Sequence, residues 1–388
     1  MRNTISDIQN VKLNNMKIVL DAIRKRGTVS RASIARITGL TRATVSSLVD
    51  ELLEKGLVEE IGEGKSSGGR KPILLKLNAN SYLAVGINLS DDKTIRGYLC
   101  NLEAEVVAIA EQKYENNFDS ILYAILNIVS NLLKAVPEKS KIAGIGIGAA
   151  GIVNPSKKEV LFSTNFDILG AGLVKKLIEK YSLPVYIENE SNAAAWAEKE
   201  YGSGKGFNNI LYLSKGKGIG SGIIIDGNIY YGSFYGAGEI GHVMVDPNGM
   251  RCRCGAIGCL ETFIGQEKIL AQIKEKTGEE LSINDAIKRY SNGDPDIKEV
   301  VSCEASYLGK ALAISSSLLN IDQIILGGYI IQYGSNFLAQ VEESFREHTM
   351  SYYRDRISIK FAKLGRDAVG IGGASLVLKR VWDLEIIR

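Results

Sequence analysis

Apolar positions change their period along this chain, and the changes divide it. Over residues 15–25 they recur at helical spacing, with Ile18, Val19 and Ile23 expected inward and Gly27 as the stop. Ser30 then reads as the cap of a second helix burying Ile34 and Ile37, which stops at Gly39. Thr41 reads as the cap of a third, with Val45, Leu48, Val49 and Leu52 on its apolar face. Two short helices joined by a tight turn form the DNA-binding helix-turn-helix spacing, and Thr41, Arg42, Thr44, Ser46 and Ser47 lie toward the exposed start of the third. Two strand-like runs follow, Leu57–Ile61 and Ile73–Leu77, around a glycine-rich loop. They predict a wing whose Arg70 and Lys71 can reach phosphates.

Beyond residue 80 strands and helices alternate. Residues 82–89, 94–102 and 105–110 predict a strand meander, Ile121–Leu133 a helix, and Ile142–Ile147 a buried strand ending in a glycine turn. A second series runs through Ile210–Leu213, Gly222–Ile225, a helix around Ala305–Leu319 and the strand Gln323–Leu326. Two such units imply two α/β lobes with a cleft between them, where a small ligand is expected.

Charge separates the same regions. Residues 1–80 carry 14 lysines and arginines against 8 acidic residues, whereas the remainder carries 33 against 36. A basic head on a mildly acidic body is the pattern of a nucleic-acid-binding module joined to something else. With 388 residues, 45% of them hydrophobic, the chain has material for two or three cores, which excludes a disordered or fibrous protein. No apolar run approaches the roughly 18 residues of a membrane span, so no membrane partner and a reducing cytoplasm are expected.

The candidate chemistry is concentrated in eighteen residues. His242, Cys252, Cys254 and Cys259 form the ligand set of a structural zinc site, about one ion per chain: a Cys-x-Cys followed by a third cysteine can wrap three thiolates round a tetrahedral ion. Gly241, Gly249, Gly255 and Gly258 permit a loop that short. The alternatives are unrelated thiols or disulfides of a secreted protein, and the absence of an apolar leader argues against the second.

Gly238-Glu239-Ile240-Gly241-His242, the cysteine run ending Cys259-Leu260-Glu261, Ile187-Glu188-Asn189-Glu190-Ser191-Asn192-Ala193-Ala194, and the glycine turn Gly146–Val153 together resemble the ROK family of repressors, open reading frames and kinases. The resemblance covers essentially the whole chain and is strongest to the family's regulators, in particular its xylose-repressor-like branch. It implies an N-terminal winged helix-turn-helix over residues 1–80, then a two-lobed α/β actin/hexokinase-like body. The first lobe is expected at 81–190, with a terminal helix at about 373–388 packing back on it. The second, carrying the zinc site and a dimerisation surface, is expected at 191–372. The implied function is a sugar-responsive repressor of carbohydrate, and in that branch xylose, utilisation. Its implied partners are operator DNA, a xylose- or glucose-like monosaccharide, and further copies of the chain in a homodimer or tetramer.

By the same resemblance, sugar hydroxyls would be held by Asn189, Glu190, Glu239, His242 and Glu261, with Asn165 from the run Ser163-Thr164-Asn165-Phe166-Asp167 as a further contact. The types suit the task, because carboxylates accept paired hydrogen bonds and an amide both donates and accepts. The chain departs from the family's kinases in two places. Glu190 stands where they have an aspartate base, moving the carboxylate by about 1 Å. Asn88-Leu89-Ser90-Asp91-Asp92 replaces their first phosphate loop, removing its glycines and adding two anions. A non-enzymatic regulator is therefore expected, the alternative being an active hexose kinase with a DNA-binding head. Gly216–Gly222 and Gly327-Gly328 keep the glycines of two further kinase loops, which tight turns also explain.

Overall fold

The computed structural model describes residues 2–64, 71–90, 93–163 and 172–385. Helices Arg2–Arg26, Arg31–Thr38 and Arg42–Glu54 pack around Met16, Val19, Leu20, Ile23, Ile34, Val45 and Leu52, all almost fully buried. The Ser30 and Thr41 side chains accept from the backbone N–H groups of Ser33 and Thr44, each cap being worth about 1 kcal/mol. Gly39 ends the second helix at φ 73°, a conformation that penalises any Cβ.

Two core expectations fail. Ile18 and Ile37 are exposed, at 39% and 46%. On the first helix positions 16, 19, 20 and 23 follow the i, i+3, i+4, i+7 rule, which turns Ile18 away from them. Met16 and Leu20 fill the core instead. The wing has three strands, because Thr28–Ser30 pairs with Ile73–Leu77, which in turn pairs with Val58–Glu63.

Beyond the head lie two five-stranded sheets with the same topology. In the first, the meander Tyr82–Leu89, Thr94–Asn101 and Val106–Lys113 is extended by parallel strands Lys141–Ala149 and Val185–Asn189. In the second, Ile210–Lys215, Ile219–Ile225 and Asn228–Ile229 form the meander, and Gln323–Gly328 and Ser358–Phe361 extend it.

The central strands of each sheet are buried on both faces, and strand alternation decides what covers each face. Along Tyr82–Leu89, the residues Leu83, Val85, Ile87 and Leu89 meet the helices Phe118–Lys134 and Leu173–Tyr181. Tyr82, Ala84 and Gly86 face the helix Ala368–Trp382. That helix follows the last strand of the second sheet, yet it packs on the first. Conversely, helix Glu190–Tyr201 follows the last strand of the first sheet and packs on the second, against Ile210–Lys215 and Ile219–Ile225. The two halves exchange their final helices, and the two helices also pack on each other.

Glycine makes both crossings close. A methyl group at Gly86 would stand 1.9 Å from Gly370 O, and one at Gly222 would stand 2.4 Å from Ser191 O. The buried Glu198 fastens the crossing, accepting from the backbone N–H groups of Ser203, Lys363 and Leu364. The core of the head is continuous with the face beneath helix Ala368–Trp382, where Ile371, Val377, Leu378 and Val381 are buried. The head is therefore seated on the body through shared apolar surface.

Candidate functional site

Between the two-residue strand Asn228–Ile229 and the long helix Pro295–Leu319, the second half carries an insert with no counterpart in the first. It turns at Gly238 (φ 97°), where a Cβ would lie 2.4 Å from Ser221 O, and presents Glu239 to solvent. A single 3₁₀ turn, Ile240–His242, follows. The chain then folds into a knuckle held by Val245 N–H to Gly258 O and Cys252 N–H to Ala256 O. Gly255 and Gly258 take φ values of 97° and 71° at its bends.

The donor atoms of His242, Cys252, Cys254 and Cys259 lie within 4.8 Å of one another. Cys254 Sγ is 3.6 Å from Cys259 Sγ, and His242 Nδ1 is 3.7 Å from Cys252 Sγ. Thiolates about 2.3 Å from a tetrahedral ion stand about 3.8 Å apart. The four residues thus fit a closed, four-coordinate metal site with Nδ1 on the metal side. His242 Nε2 is left facing Glu261, whose Oε2 lies 3.8 Å away.

Asn189 and Glu190 arrive from the other half, at the junction of the strand Val185–Asn189 and the helix Glu190–Tyr201. Asn189 caps that helix: its Oδ1 accepts from Ser191 and Asn192 N–H, while Nδ2 donates to Gly151 O and to Glu190 Oε2 at 2.7 Å. Its amide is occupied within the protein, so a ligand would reach it by replacing one of these partners. Burial, with the charge of Glu239 adding to it, pushes the Glu190 carboxyl up to about 7. Desolvation also raises Glu239, and the charge of Glu261 adds to that shift. Glu239 thus acts on both Glu190 and Glu261, and Glu261 in turn stands 3.8 Å from His242 Nε2.

The glycine run Gly216–Gly222 borders this group. A methyl on Gly218 would lie 3.8 Å from Glu261 Oε1, and one on Gly220 the same distance from Glu190 Oε1. Gly220 and Gly222 also admit Ser191 of the crossing helix. Their absent side chains serve packing here, whatever else the loop does.

Two participants escaped the sequence reading. Arg253, between the first two cysteines, donates to Glu261 Oε1 at 2.5 Å and so engages one oxygen of that carboxylate. Tyr231 donates to Glu188 Oε2 at 2.7 Å, joining the two halves beside Asn189. A cationic side chain inside a cysteine run and a tyrosine in an aromatic loop carry no local signal of such partners. Asn165, Arg70, Asp91 and Asp92 lie outside the described residues. Lys71 is exposed and 3.4 Å from Glu63. On the third helix Thr41, Arg42 and Ser47 are exposed, while Thr44 and Ser46 are half-buried. Arg31 ties this helix to the wing through Asp50, Ser46 O and Glu60.

A family model described as the ROK family matches residues 85–380. The chain belongs to the ROK family. A model of the MarR family matches residues 17–66, from within the first helix of the head through the wing strand Val58–Glu63. The xylose repressor of Bacillus subtilis is 33% identical over 382 residues, covering 98% of this chain and 99% of that protein. A crystal structure of a ROK family transcriptional regulator, described as a homolog of the E. coli MLC protein, superposes with a TM-score of 0.84 at 26% identity. It covers 97% of this chain and 98% of its own. The ROK family glucokinase from Streptomyces griseus, in complex with glucose and AMPPNP, aligns at 27% identity and a TM-score of 0.67. It spans 76% of this chain and 98% of its own. Among the described residues no helix is long and apolar enough to cross a membrane.

Proposed function

We propose that this ROK family member is a sugar-responsive transcriptional repressor: its head binds operator DNA as part of a homodimer, and a monosaccharide in the cleft releases it. The observation that carries this reading is the union, over the full length shared with a named xylose repressor, of a winged head and a ROK body. Xylose is the first effector to test, with Asn189, Glu190, Glu239, His242 and Glu261 as its contacts.

The metal set is assigned to zinc, about one per chain. Imidazole and thiolate suit that ion, and a closed four-ligand shell is structural, with no position left for a reacting water. His242 would hold such an ion by one ring nitrogen and keep the other for a ligand hydroxyl. Thr41, Arg42, Thr44, Ser46 and Ser47 are assigned to the operator, Arg42 to base edges, and Arg70 and Lys71 to phosphates.

Operator affinity measured with and without each of a panel of pentoses and hexoses tests the reading. A sugar that weakens operator binding about a hundredfold has a coupling of roughly 2.7 kcal/mol, and operator must weaken sugar binding by the same factor. Equal sugar affinities with and without operator would refute it. One observation favours a second reading: a carboxyl held near neutrality is suited to general-base work, so Glu190 could serve a hexose kinase. ATP-dependent phosphorylation of a hexose, compared between wild type and Glu190→Gln, separates the two.

A further inference from the structure

Helix Glu190–Tyr201 begins at the candidate sugar residues and ends against the head. Asn189 caps its start; Glu200 and Tyr201 close it twelve residues later, roughly 17 Å away. Arg24, on the first helix of the head, donates to Glu200 Oε2 at 3.2 Å. Its guanidinium lies 4.5 Å above the Trp382 ring and 5.8 Å from that of Tyr201. One face of the same head helix brings Lys17 3.2 Å from Asp383. Trp382 and Asp383 end the other exchanged helix, Ala368–Trp382. Two cations of the head thus sit on the C-termini of both crossing helices, where the helix dipoles favour positive charge. Beside Arg24 a cavity of about 140 Å³ opens, bounded by Trp196 and Ser375. Trp196 is 6% exposed, and its indole N–H has no partner among the described residues.

We infer that Arg24 is the latch through which the cleft reaches the head. The two helix ends belong to different halves of the body, so a rotation of one half against the other changes their separation. A head helix held to both ends cannot keep both sets of contacts through such a rotation. The guanidinium is either in its aromatic notch, paired with Glu200, or out of it, and the neighbouring cavity gives the rings room to move. This provides the discrete two-position element that coupling requires. The inference rests on the repressor reading and adds its route.

Arg24→Ala is tested in the full-length protein for operator affinity with and without sugar, and for tryptophan emission. The chain's two tryptophans, Trp196 and Trp382, both border the cavity, so intrinsic emission reports on the latch. The expected result is that sugar still binds, shown by thermal shift, while the operator affinity ratio falls from about a hundredfold to less than about threefold. Arg24→Lys, which keeps the charge, recovers part of it. A wild-type ratio in Arg24→Ala overturns the inference. If Arg24→Ala abolishes operator binding outright, Trp382→Phe, which keeps the ion pair and reduces the stacking face, is read in the same way. If no sugar in the panel alters operator binding by wild type, the repressor reading fails and the latch is judged on operator duplex alone. An emission change in wild type that is absent in Arg24→Ala supports it; an equal change in both, or none in either, overturns it.

Discussion

The two halves of the body share a strand order and even a way of ending, yet among the described residues only one carries the candidate metal chemistry. In the first, the third strand, Val106–Lys113, runs eight residues and leads to one amphipathic helix. In the second, the third strand is two residues long, and the chain departs from the frame there to build the His242 turn, the cysteine knuckle and Glu261. The frame is repeated; the chemistry is grafted on one copy, at the point where strand pairing is shortest. The first half contributes Asn189 and Glu190 from a strand-to-helix junction that the frame already needs. Rigid elements therefore position half of the candidate site, and the loop that carries the candidate metal ligands positions the other half.

The largest expected effect breaks this asymmetry at the graft. Cys254→Ser leaves the second half's insert without its fourth ligand, and bound metal should fall from about one per chain to near none. Metal analysis measures the loss, and hydrogen exchange should show deprotection confined to the insert. Deprotection spreading through the first sheet would mean that the insert supports the frame as well.

Next come the crossings, where the halves are alike. Gly86→Ala sets a methyl against a backbone carbonyl that cannot retreat and should cost about 3 kcal/mol, with Gly222→Ala, at its longer approach, costing about 2. Urea midpoints give both values. A silent Gly222→Ala would show that only one crossing is tightly packed. Third, Glu239→Ala removes a carboxylate of the graft without touching the head. Operator binding should persist while a sugar response of about 2.7 kcal/mol disappears, as gel-shift titrations with and without sugar would reveal.

The pH-dependent effect lies on the frame side of the site. Because the folded protein holds Glu190 protonated up to about pH 7, against an ordinary value of 4.5, the protonated carboxyl contributes stability that is complete below pH 4.5. That stability is lost as pH rises toward 7. Glu190→Gln, which never ionises, should therefore match wild type at pH 4 and exceed it by up to about 3 kcal/mol at pH 8. Thermal melts across that range test the sign; a constant difference would deny Glu190 its shift.

Much of the local structure could be read from the chain, because its signals are local. The four candidate metal ligands sit within eighteen residues, Ser30 and Thr41 sit one residue before their helices, and strand alternation marks both sheets. Ile18 and Ile37 were misplaced because apolar character alone does not fix the angle of a position round a helix. The helix exchange could not be read at all: the glycines and alanines of 368–375 say that something approaches closely, but not which sheet. Arg24 and Tyr231 find their partners only once distant segments have met, and Arg253 reaches Glu261, eight residues on, only because the knuckle folds back.

The exchange also sets a timetable for biosynthesis. The strands of the first sheet leave the ribosome early, but the helix that covers their second face, and on which the head rests, begins at Ala368. At 5–20 residues per second, roughly 9–40 s separate the end of that sheet at Asn189 from its cover. Throughout that interval Tyr82, Ala84 and Tyr98 face solvent or a chaperone. A chain halted short of Ala368 therefore carries the head's complete sequence without the surface on which it is seated.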